Sequence, residues 1–228
     1  MAKLNRNIRN FMLILLHLNF KTIIFNFRYF QFHEAILFPV FVSFDSRIRK
    51  LKGKVIIEGP VTPGMIRMGS SYVGIFDRRH MKFIWQVEGE VVFKGSALFK
   101  YGSKVIVDKN GYLEIGNKFR ISANSSIICY KRIIFGNHCR ISWDVQIMDT
   151  DFHKILSLEG KQLNLPRPIE IGNHNWIGTR VTILKGAKTD DDCIVASNSL
   201  LTREIMGSHQ IMAGNPAKVI KTNVTWEG

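Results

Sequence analysis

The stretch Asp149-Thr150-Asp151-Phe152-His153 sets an imidazole close behind two carboxylates. A histidine that titrates near neutrality suits the task of taking a proton from an attacking hydroxyl or amine. Asp151 could orient that ring or contact an acceptor, with Asp149 as second candidate. Read alone, the stretch fits a solvated turn with an exposed loop histidine just as well. The three cysteines, Cys129, Cys139 and Cys193, form no CxxC pair. A sparse, odd set fits a reducing compartment and buried structural thiols rather than a nucleophile.

The chain that must position these residues repeats every six. From Ile171 it reads IGNHNW, IGTRVT, ILKGAK, TDDDCI, VASNSL and then Leu201. Upstream, IGNKFR begins at Ile115 and ISANSS at Ile121, with Ile127 in phase. Two extra residues then shift the frame to FGNHCR at Phe135, ISWDVQ at Ile141, and Ile147. A six-residue period fits neither a 3.6-residue helix nor a long strand. It means a short strand plus a corner, with the aliphatic residue pointing into a narrow interior where successive coils stack. A following glycine relieves crowding at the turn. Cys139 and Cys193 share the fifth hexad position with Val145, Val181 and Ser199, an inward-facing place. Thr189-Asp190 and Ala196 depart from the pattern.

The repeat breaks after Ile147 and resumes beyond Pro168, so residues 148–168 form an excursion that carries the Asp-Thr-Asp-Phe-His stretch. Residues 53–114 hold β-rich runs (VIIEG, EVVF, KVIV) punctuated by glycine and read as earlier, imperfect coils. Asn5 to Phe30 has apolar residues at helical spacing. The expected organisation is a helical segment over 1–50, a parallel β-helix over 51–221 and a tail over 222–228. The N-terminal helices either cap the open end of the solenoid or touch a membrane face.

With 228 residues and 46% hydrophobic content, one domain with a small appendage is expected. The formal charge is +14, and half of it falls in residues 1–60, where ten Lys/Arg face three Asp/Glu. That balance suggests an anionic partner. No basic run is dense enough for a nucleic-acid arm, so none is expected. The apolar run Phe11 to Leu18 is too short to span a bilayer, and no small-residue cleavage site follows it. The cytoplasm is the expected compartment, with weak membrane-surface contact through residues 1–30.

Two runs, IGNHNWIGTRVTILKG and IMAGNPAKVIK, resemble the hexapeptide-repeat acyltransferases, and the resemblance covers roughly residues 115–221. It implies an all-β, left-handed parallel β-helix that assembles as a homotrimer and takes acetyl-CoA in the cleft between subunits, with no metal. It makes His153 the base, beside which Asp151 either orients the ring or contacts the acceptor. Asn124 would sit by the acyl group and Trp176, Gly178 and Thr179 along the pantetheine arm. Gly214 and Lys218 belong to the family's closing motif, where the lysine would pair with a CoA phosphate. The implied activity is acetyl transfer to a saccharide hydroxyl in surface polysaccharide or lipopolysaccharide synthesis, on a lipid-linked or nucleotide-linked acceptor. The alternatives are N-acetylation of an amino sugar or antibiotic, or a non-catalytic scaffold. Some members use histidines to bind zinc. That needs three convergent histidines with a close pair, whereas His138, His153 and His174 are widely spaced and the first and last recur at one hexad position.

Overall fold

The protein is described here by a computed structural model covering residues 6–228 apart from Tyr72 and Arg78. Residues 1–5, part of the basic N-terminal segment, lie outside the described residues.

Each hexad forms a strand of a few residues and one corner, so the chain winds around a three-sided prism. Face A runs from Val40–Val42 to Gln210–Gly214, face B from Arg47–Leu51 to Leu200–Leu201, and face C from Lys54–Ile57 to Glu204–Ile205. The chain visits A, B and C in turn, and neighbouring coils pair in parallel. The solenoid therefore begins at Val40 rather than at residue 51, with Val40–Val42 and Arg47–Leu51 as its first strands.

The interior is a stack of side chains with two textures. The early coils are filled by aromatics. Phe99 packs on Phe83, Phe93 and Phe119, and Phe119 packs on Phe135, with ring centroids 5.0–6.2 Å apart. The later coils are filled by Ile147, Ile177, Ile183, Val195 and Leu201, all fully buried. The three thiols sit in these columns, and burial pushes Cys139 up to about 12 and Cys193 up to about 11. Thr189 interrupts the face C column between Ile171 and Ile205, and its buried hydroxyl has no hydrogen-bond partner.

The corners explain the repeated Gly-Asn-His. His138 and His174 take left-handed backbone angles at equivalent corners, with φ of 60° and 51°. The glycines before them answer a different need. A Cβ on Gly136 would come within 2.6 Å of the Asn173 backbone nitrogen, and one on Gly172 within 2.5 Å of the Asp190 carbonyl carbon. Glycine there lets one coil lie on the next.

Both ends of face A are closed by the chain itself. Helices α1 (Arg6–His17), α2 (Phe20–Tyr29) and α3 (Phe32–Ala35) precede the solenoid. Asn19 caps α2 by accepting from Lys21 and Thr22 backbone N–H groups. Asn26 of α2 exchanges hydrogen bonds with the backbone of Val40, at 2.7 and 3.1 Å, and the Thr22 hydroxyl binds that of Val42. Side chains thereby satisfy a strand edge that would otherwise be open. At the far end Ala217–Thr222 folds back antiparallel on Gln210–Gly214.

The three outward rows differ. Face A shows Arg67, Leu98, Arg120, Arg140 and Trp176 in one column. Face B shows the apolar column Ile106, Ile128, Met148 and Leu184. Face C carries alternating charge, with Lys188 paired to Glu170 and Glu204 at 3.7 and 3.4 Å.

Candidate active site

The excursion leaves face B at Met148 and rejoins face C at Ile169. Asp149 closes the root of the loop. It is fully buried and accepts from the backbone N–H groups of Tyr130, Lys131 and Arg132 at 2.7, 2.8 and 2.7 Å. Both its oxygens are committed to these backbone donors inside the protein, so Asp149 ties the preceding coil's corner rather than meeting substrate.

Asp151 is the loop's anchor. One carboxylate oxygen takes the Lys185 ammonium and the Asn164 amide, the latter at 2.8 Å. The ammonium contact holds its carboxyl below the usual aspartate range, with the Asn164 bond adding to the effect. Asn164 also donates to the His153 carbonyl at 2.8 Å, and the His153 N–H donates to the Asp151 carbonyl at 2.7 Å. The backbone of His153 is thus pinned while its side chain stays exposed. Asp151 touches no imidazole nitrogen in the single chain; it acts on the histidine's main chain. Beyond it the loop forms a small hairpin, with the Leu163 N–H donating to the Ile155 carbonyl at 2.8 Å. This hairpin exposes Ile155, Leu156, Leu158, Leu163 and Leu165.

Asn124, Gly178 and Thr179 lie on the other edge of face B, where face A turns into it. Asn124 has φ 57°, donates to Asp144 at 2.7 Å and accepts from Lys104 at 3.0 Å. Burial draws the Lys104 ammonium down and Asp144 opposes it. The Thr179 hydroxyl donates to the Trp143 carbonyl at 2.9 Å. Gly178 answers to packing, since a Cβ there would lie 2.8 Å from the backbone of the next coil. Trp176 is 42% exposed, and its indole N–H donates to Ser142 at 3.1 Å. Gly214 takes a φ of 104° at the closing hairpin. Lys218 is exposed on the hairpin's outer strand, with no salt bridge among the described residues.

Within one chain the structure keeps these two groups apart. A face B strand of three or four residues, roughly 10 Å or more, separates the Asn124 edge from the His153 edge. Among the described residues no group of three or more His, Cys, Asp or Glu is placed to hold a metal.

No family model matches the chain. It is 32% identical over 135 residues to a polysialic acid O-acetyltransferase of Escherichia coli O1:K1, covering 58% of this chain and 41% of that protein. It is 35% identical over 118 residues to the polysialic acid O-acetyltransferase of Neisseria meningitidis, covering 51% of this chain and 49% of that one. The chain spans about half the length of these curated relatives. Among solved structures it superposes on the polySia-specific acetyltransferase NeuO with a TM-score of 0.55 and 26% identity, over 83% of this chain and 79% of that one. The chain is similar to hexapeptide-repeat acetyltransferases in sequence and in fold. Its prism is accordingly a left-handed β-helix.

Three features of this chain escape a reading of its hexads. Lys185 and Asn164 hold the loop from positions 34 and 13 residues away. The Arg67, Arg120 and Arg140 column emerges only once coil lengths are known. The tail places Trp226 flat on His174, with centroids 4.4 Å apart, and 6.1 Å from Trp176, while its indole donates to the His174 carbonyl.

Proposed function

We propose that this protein transfers an acetyl group from acetyl-CoA to a hydroxyl of a saccharide. The observation that carries the reading is the excursion loop, whose anchor fixes the backbone of His153 and leaves its ring exposed. His153 takes the acceptor's proton as the hydroxyl oxygen attacks the thioester carbon. A carbon–oxygen bond forms, the tetrahedral oxyanion collapses, and the carbon–sulfur bond breaks to release CoA as its thiolate. No enzyme nucleophile is needed. Asn124 gives one amide hydrogen to Asp144, and its second can serve the oxyanion. Trp176, Thr179, Gly214 and Lys218 line the donor edge, and Lys218 meets a CoA phosphate as a point charge.

The working form is a homotrimer. Packing face B about a threefold axis buries its column of Ile106, Ile128, Met148 and Leu184. It also brings the His153 edge of one subunit to the Asn124 edge of the next. The aliphatic side chains exposed on the loop would then lie on the neighbour. Two edges that cannot meet in one chain meet between two.

The acceptor is an acidic saccharide of a surface polysaccharide, lipid-linked or nucleotide-linked, modified on the cytoplasmic side of the membrane where acetyl-CoA is made. Arg67, Lys118, Arg120 and Arg140 line a cleft of about 250 Å³ on face A, on the column that leads to Trp176. Such a row suits repeating carboxylates. Mass spectrometry of reactions with acetyl-CoA and polysialic acid, a neutral galactoside or glucosamine tests the reading. An acetyl ester on the acidic saccharide is expected. Transfer to the amine alone would favour N-acetylation, and acetyl-CoA binding with no product on any acceptor would contradict the hydroxyl chemistry.

A further inference from the structure

A second exposed apolar surface, besides the loop hairpin, lies on α1. Ile8, Phe11, Met12, Leu15 and Leu16 are 51–77% exposed. Their spacing of three, four, seven and eight residues places them on one side of the helix. α1 is joined to the rest through its end, where His17 stacks on Phe41 with centroids 4.8 Å apart. A contiguous apolar stripe of this size on one helix face calls for a cover.

We propose that this stripe seats the protein on an anionic lipid bilayer, with α1 lying in the headgroup region. Charge selects this occupant. Residues 1–33 contain five Lys/Arg and no Asp or Glu. Packing this segment against another copy of itself would set like charges together, whereas anionic headgroups complement them. Length selects the orientation. Twelve residues of helix reach about 18 Å, well short of the roughly 30 Å hydrocarbon core. Among the described residues no single helix is long and apolar enough to cross a membrane, and α2 departs from α1 at 113°. A helix with an exposed aromatic and aliphatic stripe, in a segment of basic composition, lies in the interface plane. The solenoid would then stand off the bilayer by its capped end, since α2 is bonded to the first strand of face A. This inference rests on α1 alone and is independent of the acetyl-transfer reading.

The test is co-sedimentation of the full-length protein with phosphatidylcholine vesicles, with and without phosphatidylglycerol. Binding is expected to the anionic vesicles, to weaken as salt rises, and to fall at least about tenfold in the double variant Phe11→Asp, Leu15→Asp. Both positions are exposed, so unfolding temperature, oligomeric state and acetyl transfer to a soluble acceptor should stay unchanged. A milder variant, Leu16→Gln, should show a smaller loss in the same direction. Three results would overturn the proposal. They are no binding by the wild type, equal binding to neutral vesicles, or a double variant whose oligomer dissociates, which would mean that a second copy covers the stripe.

Discussion

The edge between faces A and B and the edge between faces B and C flank the same strands, yet they are finished differently. At the first, side chains bond across coils in a ladder: Lys104 to Asn124, Asn124 to Asp144, and Thr179 to the Trp143 carbonyl. At the second, the ladder is interrupted by the loop that leaves at Asp149. There the polar groups hold backbone, and the one imidazole is left to solvent. A rigid, self-satisfied edge suits a long ligand laid along corners. A tethered excursion suits a group that must reach toward another molecule.

The largest effect that separates the edges is expected at His153. His153→Ala should lower kcat by about 10²–10⁴-fold, the usual worth of general-base help. KM for acetyl-CoA should stay near its wild-type value, because the donor edge is untouched. Initial-rate kinetics on protein with an unchanged oligomeric state would check this. Asp151→Asn should cost about tenfold in kcat, since it loosens the backbone of His153 without removing the base. Lys185→Met should match it, and the double variant should be no worse than either alone. The Asp151 carboxyl is held below its unfolded value by Lys185. Its contribution to loop docking is therefore present above the ordinary aspartate range and lost as the pH falls through the lowered value. Protease nicking of residues 150–168 should accelerate in that acid window and not at alkaline pH.

Lys218→Ala probes the donor edge instead. Loss of a phosphate contact far from the thioester should raise KM for acetyl-CoA by roughly fivefold to tenfold and leave kcat nearly intact. An unchanged KM would remove Lys218 from the donor site. The smallest effect lies in neither edge. Thr189→Val should raise stability by about 1 kcal/mol, because the buried hydroxyl has no partner and a methyl of the same size costs nothing to bury. Thermal unfolding would report it.

How much of this could be read in the sequence follows from the range of each interaction. The β-helix was legible because its cause is local: one aliphatic residue every six, with a glycine where the next coil comes within 2.6 Å. The loop was legible as a break in that period. Its tethers were not, because Lys185 meets Asp151 only after a complete coil has been wound. The carboxylates of Asp149 and Asp151 look alike in the sequence. Burial alone separates them, one fully enclosed by three backbone donors and the other bound to an ammonium near the surface. The early coils were less legible than the late ones. Phe83, Phe93 and Phe99 fill their interior, and those aromatics do not keep throughout to the six-residue spacing that marks the isoleucine columns.

The central claim is that one reaction site is built from the His153 edge of one subunit and the Trp176–Lys218 edge of its neighbour. The direct measurement is activity of mixed assemblies formed by co-refolding His153→Ala with the double variant Trp176→Ala, Lys218→Ala in equal amounts, at acetyl-CoA well below KM. Each parent should be nearly inactive on its own. Random assembly around a cyclic trimer pairs an intact histidine edge with an intact donor edge at about one interface in four, so about a quarter of wild-type activity should return. Activity no higher than the mean of the two parents would contradict the account and place the whole site within a single subunit.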